Sequence, residues 1–196
     1  MDNVITSTET SVNTVRETRA ALGMGLFLLA LSAAFVALFI IYAILRGSME
    51  AWPPTGMESP PIWIPGINTM VLLASGITMH LAVRSLTRKN RASYGRYLLF
   101  TANCGALFLL LQVLFARQTM AMGIVAGDTL YGSLLFALGG FHAVHLLVGV
   151  VALALMSLSA SIQRVRTSLN RARLWGFYWN FMGVVWLLMF VFLFAI

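Results

Sequence analysis

The chain has 196 residues, of which 60% are hydrophobic and only 10% charged, which excludes an ordinary soluble domain and marks an integral membrane protein. A formal net charge of +7 would suggest nucleic acid in a soluble chain. Here the basic residues gather at the ends of apolar segments, where they set orientation and meet anionic headgroups, so no nucleic-acid partner is expected.

Residues 1–19 carry Thr, Ser, Asn and Val with a few charges and no apolar run; they read as a polar, loosely ordered cytoplasmic tail that cannot act as a signal sequence by itself. The remainder, 20–196, reads as a single all-α transmembrane domain of five helices, with spans at about 20–45, 66–83, 97–115, 130–156 and 174–196. Between the first two spans, Arg46 to Pro65 contains five prolines, two glutamates, Trp52 and Trp63, and is expected to be an interfacial loop. The third span contains Asn103, Cys104 and Gln112; the lone cysteine cannot form an intrachain disulfide. Asn103 and Gln112 are nine residues apart and point to opposite sides of a helix, so each is expected to make its own interhelical hydrogen bond. Arg117 to Thr129, with Gly123, Gly127 and Asp128, reads as a loop. The apolar run from Leu130 to about Ile162 is too long for a 30 Å core, so Ser157 to Arg166 should project beyond it.

The fourth span carries the sequence's most informative feature, Gly139-Gly140-Phe141-His142-Ala143-Val144-His145, followed by Gly149. Ionisable groups at that depth need a reason. On a helix His142, His145 and Gly149 share one face, with the glycine permitting close approach of a neighbour. Two imidazoles do not make a metal site: three ligands with supporting carboxylates are usual, and no Asp or Glu lies inside any span. His142, His145, Asn103, Gln112 and Asn180 are therefore read as inward-facing structural polar groups, with no catalytic, cofactor or metal residue assigned.

Eleven basic residues fall on one side of the membrane (Arg16, Arg19, Arg84, Arg88, Lys89, Arg91, Arg96, Arg164, Arg166, Arg171 and Arg173), against Arg46 and Arg117 on the other. The positive-inside rule then predicts a cytoplasmic amino terminus and an external carboxyl terminus. Trp52 and Trp63 are expected in the outer aromatic belt, and Tyr94, Tyr97, Trp175 and Trp179 in the inner one.

The motif Gly140-Phe141-His142-x-x-His145 with Gly149 resembles the signature of subunit III of haem-copper terminal oxidases, the cytochrome c and quinol oxidases. Other segments resemble the same family in order: Leu22-Gly23-Met24 with Tyr42 and Arg46, Trp52-Pro53-Pro54, Pro65-x-x-Asn68-Thr69, Gly105-x-x-Phe108-x-x-x-Gln112, and Tyr178-Trp179-x-Phe181-x-x-Val184-Val185-Trp186. The resemblance is to the five-span bacterial form. It implies a non-catalytic subunit of the aerobic respiratory chain in the bacterial inner membrane. Such a subunit packs against the catalytic subunit and other oxidase subunits, holds phospholipid, and leaves haem and copper to its partners. The chain departs from the family pattern at Leu31, where relatives carry a buried glutamate, near Phe115, and at Asn180 and Gly183, where relatives carry a histidine and an aspartate. Without the carboxylate, His142 and His145 are expected to remain neutral, and any role in proton supply that depends on it is not carried over.

A five-span accessory protein of a nitric oxide reductase shares these motifs and is the nearest alternative, which neighbouring genes would discriminate. An independent transporter is more remote, because the sequence shows no repeat, broken helix or intramembrane charge of the kind substrate sites use.

Overall fold

Hydrocarbon holds no water to satisfy a free amide or carbonyl, so a chain this apolar can cross it only as helices or a closed barrel. A computed structural model describes residues 2–54, 59–161 and 168–195, and its regular structure is helical. The elements are α1 (Asp2–Gly47), α2 (Trp63–Thr87), α3 (Arg91–Ala121), α4 (Leu130–Ser161) and α5 (Leu169–Phe190), the last running into a π-helical turn at Val191–Ala195. Five stretches are long and apolar enough to cross a membrane: Thr14–Gly47, Trp63–Thr87, Arg91–Ala121, Leu130–Ala160 and Leu169–Phe194.

The chain divides into two units, Met1–Val36 and Ala37–Ile196. The first is the amino-terminal part of α1. It is helical from Asp2, where the sequence reads as a loosely ordered tail. Residues 1–19 contain neither proline nor glycine, so nothing stops a helix propagating outward from the apolar run, where each added residue costs no new nucleation. Thr18 and Ser32 donate their hydroxyls to the carbonyls of Thr14 (3.0 Å) and Leu28 (2.7 Å).

In the second unit α2 packs on α3 and α5, and α4 packs on the same two helices. The four form a ring of antiparallel neighbours. Their buried positions alternate in steps of four and three: Asn68, Leu72, Ser75, Met79 and Ala82 on α2, and Tyr94, Leu98, Thr101, Gly105 and Phe108 on α3. Helix α4 follows the same rule through Tyr131, Leu135, Leu138 and His142. That 3.5-residue repeat is the seam of left-handed helix packing, which keeps one stripe of each helix against its neighbours along the whole span.

The helix ends explain where the sequence-based boundaries slip. Pro65 lies in the first turn of α2, where a missing amide costs nothing, so the helix begins at Trp63 instead of after the proline. Arg117 sits inside α3. That helix runs on to Ala121 and stops at Gly123, whose φ is +82°; Gly123 N–H donates to the Met120 carbonyl (3.0 Å) and Ile124 N–H to Thr119 (3.2 Å). This is a Schellman closure, with Ile124 buried beside Phe115 as its apolar contact. Helix α5 begins at Leu169, with Ser168 as its cap, and so draws Arg171 and Arg173 into its first turns. Helix α4 remains helical to Ser161, while Arg164 and Arg166, and with them the predicted projection through Arg166, lie outside the described residues.

The α2–α3 connection uses the same Schellman closure, but with a lysine in the left-handed position. Lys89 has φ +59°, its N–H donating to Leu86 and that of Asn90 to Ser85 (both 3.0 Å). Asn90 then caps α3 by accepting the Ser93 amide at 3.0 Å. At the other end of the unit the π-helical turn is tied back to α1, through Arg46 Nη1 on the Phe192 carbonyl (3.4 Å) and Phe39 on the Phe192 ring (5.1 Å). Arg84, Arg88, Lys89, Arg91, Arg96, Arg171 and Arg173 thus gather at one end, and Arg46 and Arg117 at the opposite end.

Two substitutions in the α2–α3 turn should move stability in opposite directions. Lys89→Gly relieves a left-handed backbone that costs an L-residue about 1–2 kcal/mol, partly offset by the freer unfolded chain, and should raise the thermal midpoint in detergent. Asn90→Ala removes the α3 cap and should lower stability by about 1 kcal/mol.

Candidate functional site

The histidine face of α4 is built by three helices around two tryptophans of α5. Trp179 is wholly enclosed, and its indole passes between Gly105 of α3 and Gly149 of α4. A Cβ on Gly105 would lie 2.5 Å from Trp179 Cη2 and 2.6 Å from Val150 Cγ2; one on Gly149 would lie 3.1 Å from both Trp179 and Tyr178. At Gly105 a side chain would collide with the indole, and at Gly149 it would crowd both rings. The indole N–H donates to Ser75 Oγ on α2 (3.0 Å), and Ser75 in turn donates to the Leu72 carbonyl (2.6 Å). Seven residues on, Trp186 repeats the device: its indole N–H donates to Thr69 Oγ1 (3.0 Å), which donates to the Pro65 carbonyl (2.9 Å).

His142 is completely buried beside this pair. Its ring lies 5.7 Å from Phe108 and 5.5 Å from Trp186, and those two rings meet edge-on at 4.6 Å. His145 is half-buried. Its Nδ1 lies 2.7 Å from the Phe141 carbonyl, an acceptor only, which places the proton on Nδ1, and its ring stands 4.5 Å from that of Phe141. The His145 carbonyl accepts the Tyr178 hydroxyl at 2.6 Å, tying α4 to α5 where Gly149 permits their approach. Among the described residues no three His, Cys, Asp or Glu side chains converge as metal ligands would.

The remaining predicted residues divide. Gln112 faces inward, accepting Asn68 Nδ2 at 3.3 Å across the α2–α3 seam. Asn103 does not: it lies exposed on the outer face of α3. The nine-residue separation that turns Gln112 inward turns Asn103 outward, and in a ring of four helices that side has no neighbour. Asn180 is likewise exposed, at the outer edge of the α2–α5 seam with Oδ1 3.7 Å from the open side of Gly76. Gly140 is exposed and Phe141 half-buried. Trp179 and Tyr94, expected in an interfacial belt, are core residues; Trp63 is exposed. Trp52 instead is drawn inward, donating Nε1 to the Tyr42 hydroxyl (2.9 Å) and meeting Tyr131 edge-on at 5.1 Å. Sequence reasoning gives Asn68 and Thr69 only within a family motif, without a packing role, and misses Ser75 and the Thr78–Thr101 hydroxyl pair at 2.8 Å. The seven-residue spacing of Asn68 and Ser75 was the available signal.

The sequence profile described as Cytochrome c oxidase subunit III matches residues 3–196. The chain belongs to that family. Similar curated proteins bear the same name: cytochrome c oxidase subunit 3 of Synechocystis is 34% identical over 172 residues, covering 86% of this chain and 72% of the relative. That of Drosophila melanogaster is 33% identical over 180 residues (86% and 66%), and that of Dugong dugon 36% over 146 residues (71% and 53%). The chain thus spans between about half and about three quarters of these relatives' lengths. Subunit III membership makes this a multi-pass membrane protein of the haem-copper oxidase type, working beside other oxidase subunits. The tryptophans and glycines described above fall in the segments by which the sequence resembles the family.

Overpacking tests the tryptophan slot. Gly105→Ala should lower stability by about 1–3 kcal/mol, because a rigid buried indole must move to admit the methyl group. Gly183→Ala, where nothing lies within 4 Å, should be close to neutral. Thermal melts of both variants in the same detergent decide it.

Proposed function

We propose that this subunit III chain is non-catalytic, that it packs against and stabilises the catalytic subunit of a respiratory terminal oxidase, that it holds membrane phospholipid, and that it resides in the bacterial inner membrane. Haem and copper belong to the partner subunits on this reading, and the chain itself carries no catalytic, cofactor or metal residue. The observation that carries it is the packing of His142: the residue that would be the first candidate for chemistry sits among Phe108 and Trp186, in a core whose hydrogen bonds run between hydroxyls, amides and indoles. Such packing supports a site that positions helices.

The separation of cations between the two ends of the second unit supports the orientation expected from the positive-inside rule, with the basic α2–α3 turn cytoplasmic and the carboxyl terminus external. A reporter fused after Ile196 should register outside the cytoplasm; cytoplasmic activity would reverse the topology.

If the histidines serve packing, His142→Leu and His145→Leu should weaken retention of the catalytic subunit during purification and leave the pH dependence of oxidase turnover unchanged in complexes that remain intact. The loss expected is chiefly that of ring packing, His142 against Phe108 and Trp186 and His145 against Phe141, since the bond from His145 Nδ1 to the Phe141 carbonyl stays within α4. A shifted pH–activity profile together with normal assembly would assign them a proton-handling role instead. The polypeptide separated from its partners should show no Soret band and no stoichiometric copper or iron; metal lost on His142→Ala would overturn the non-catalytic reading.

A further inference from the structure

A groove of about 430 Å³ runs along the outer face of the α3–α4 pair, on lining that extends from Leu135 to Leu147 of α4, twelve residues or about 18 Å. It exists because Gly139, Gly140 and Ala143 present almost no side chain there; at Gly140 nothing lies within 4 Å of where a Cβ would stand. Every lining residue is apolar except Gln112. That amide is held in a fixed direction: the wholly buried Asn68 donates to its Oε1, leaving Nε2 turned toward the space that Gly139 leaves, 3.1 Å from the absent Cβ. Among the described residues Nε2 has no acceptor, and an amide at that depth requires one. Ala116 lines the groove nearer its end, and the next residue, Arg117, is exposed. Gln112 lies five residues, about 7.5 Å, deeper along α3 than Arg117.

From the interface inward there is thus a cation one residue beyond the groove's lining, then an amide donor within it, then an apolar channel about 18 Å long. A glycerophospholipid presents its phosphate, ester carbonyl and acyl chain in the same order. We propose that the α3–α4 groove is a site for one phospholipid of the leaflet on the Arg117 side, with its phosphate at Arg117, an ester carbonyl accepting from Gln112 Nε2, and an acyl chain along Gly140, Ala143 and Leu147. This deepens the lipid-holding part of the proposed function by naming the site and the contacts. A partner's transmembrane helix would need an acceptor side chain at the depth of Gln112 and would leave Arg117 without a role.

The test is phospholipid retained per chain in the complex purified in mild detergent, read by phosphorus assay and native mass spectrometry, with haem content reporting the partner subunits. Gly140→Leu and Ala143→Phe each fill the channel and should each remove one tightly held phospholipid per chain without lowering haem content. Arg117→Gln should leave the lipid in place at first but speed its loss on repeated detergent washing. An unchanged lipid count in both filling variants, or loss of haem-containing partners with lipid retained, would overturn the proposal, the second outcome making the groove a protein interface. Should the wild-type chain purify without any haem partner, the oxidase reading fails, while the lipid count per chain still decides the groove.

Discussion

The indole of Trp179 lies where three other helices come closest, and the bundle is shaped to leave room for it. Lipid is as apolar as leucine, so helices in it gain little from burying aliphatic surface against one another; close van der Waals packing and interhelical hydrogen bonds are what remain. Gly105 and Gly149 supply the first by yielding their side-chain volume to the ring. Ser75 supplies the second, since its hydroxyl accepts from the indole while donating to the Leu72 carbonyl, so that neither polar group is left bare in a medium without water. Trp186 and Thr69 repeat this seven residues along α5 and six back along α2, as antiparallel neighbours require. His142 fills the space beside the second tryptophan and closes the layer against Phe108. The register of α5 against the other three helices follows from two indoles that each fit at one place.

Five spans were legible because lipid imposes a length and a composition that show in the sequence, and the inward turn of His142 was legible because Gly149 lies seven residues away on the same face. Helix ends were less so. Arg117 looks like the start of a loop in a hydropathy reading, yet a terminal arginine can reach the interface from within a helix, and the chain stops only where Gly123 can take a positive φ. Asn103 shows a different limit. Periodicity tells that it opposes Gln112, but not that α3 has neighbours on one side only; that depends on how four helices close into a ring. Trp179 was placed in a belt because tryptophan near a basic segment usually belongs there. Its true position depends on Gly105, seventy-four residues earlier, and no local pattern links the two.

The family resemblance sharpens the physical reading where this chain departs from it. The resemblance implies ionisable groups in the family at the positions of Leu31, Asn180 and Gly183, and here no Asp or Glu occurs within the apolar runs 20–45, 66–83, 97–115, 130–156 and 174–196. A charge at that depth must be paired or neutralised, and either way its contribution to packing depends on proton supply. Hydroxyl, amide and indole groups hold the same protons across the physiological range, so the layers at Trp179, Trp186 and Gln112 keep their geometry whatever the pH on either side of the membrane. His142 takes its place in this core as a ring packed among rings, against Phe108 and Trp186. A core of this kind specifies the register of its helices, which is what the structural role proposed above requires.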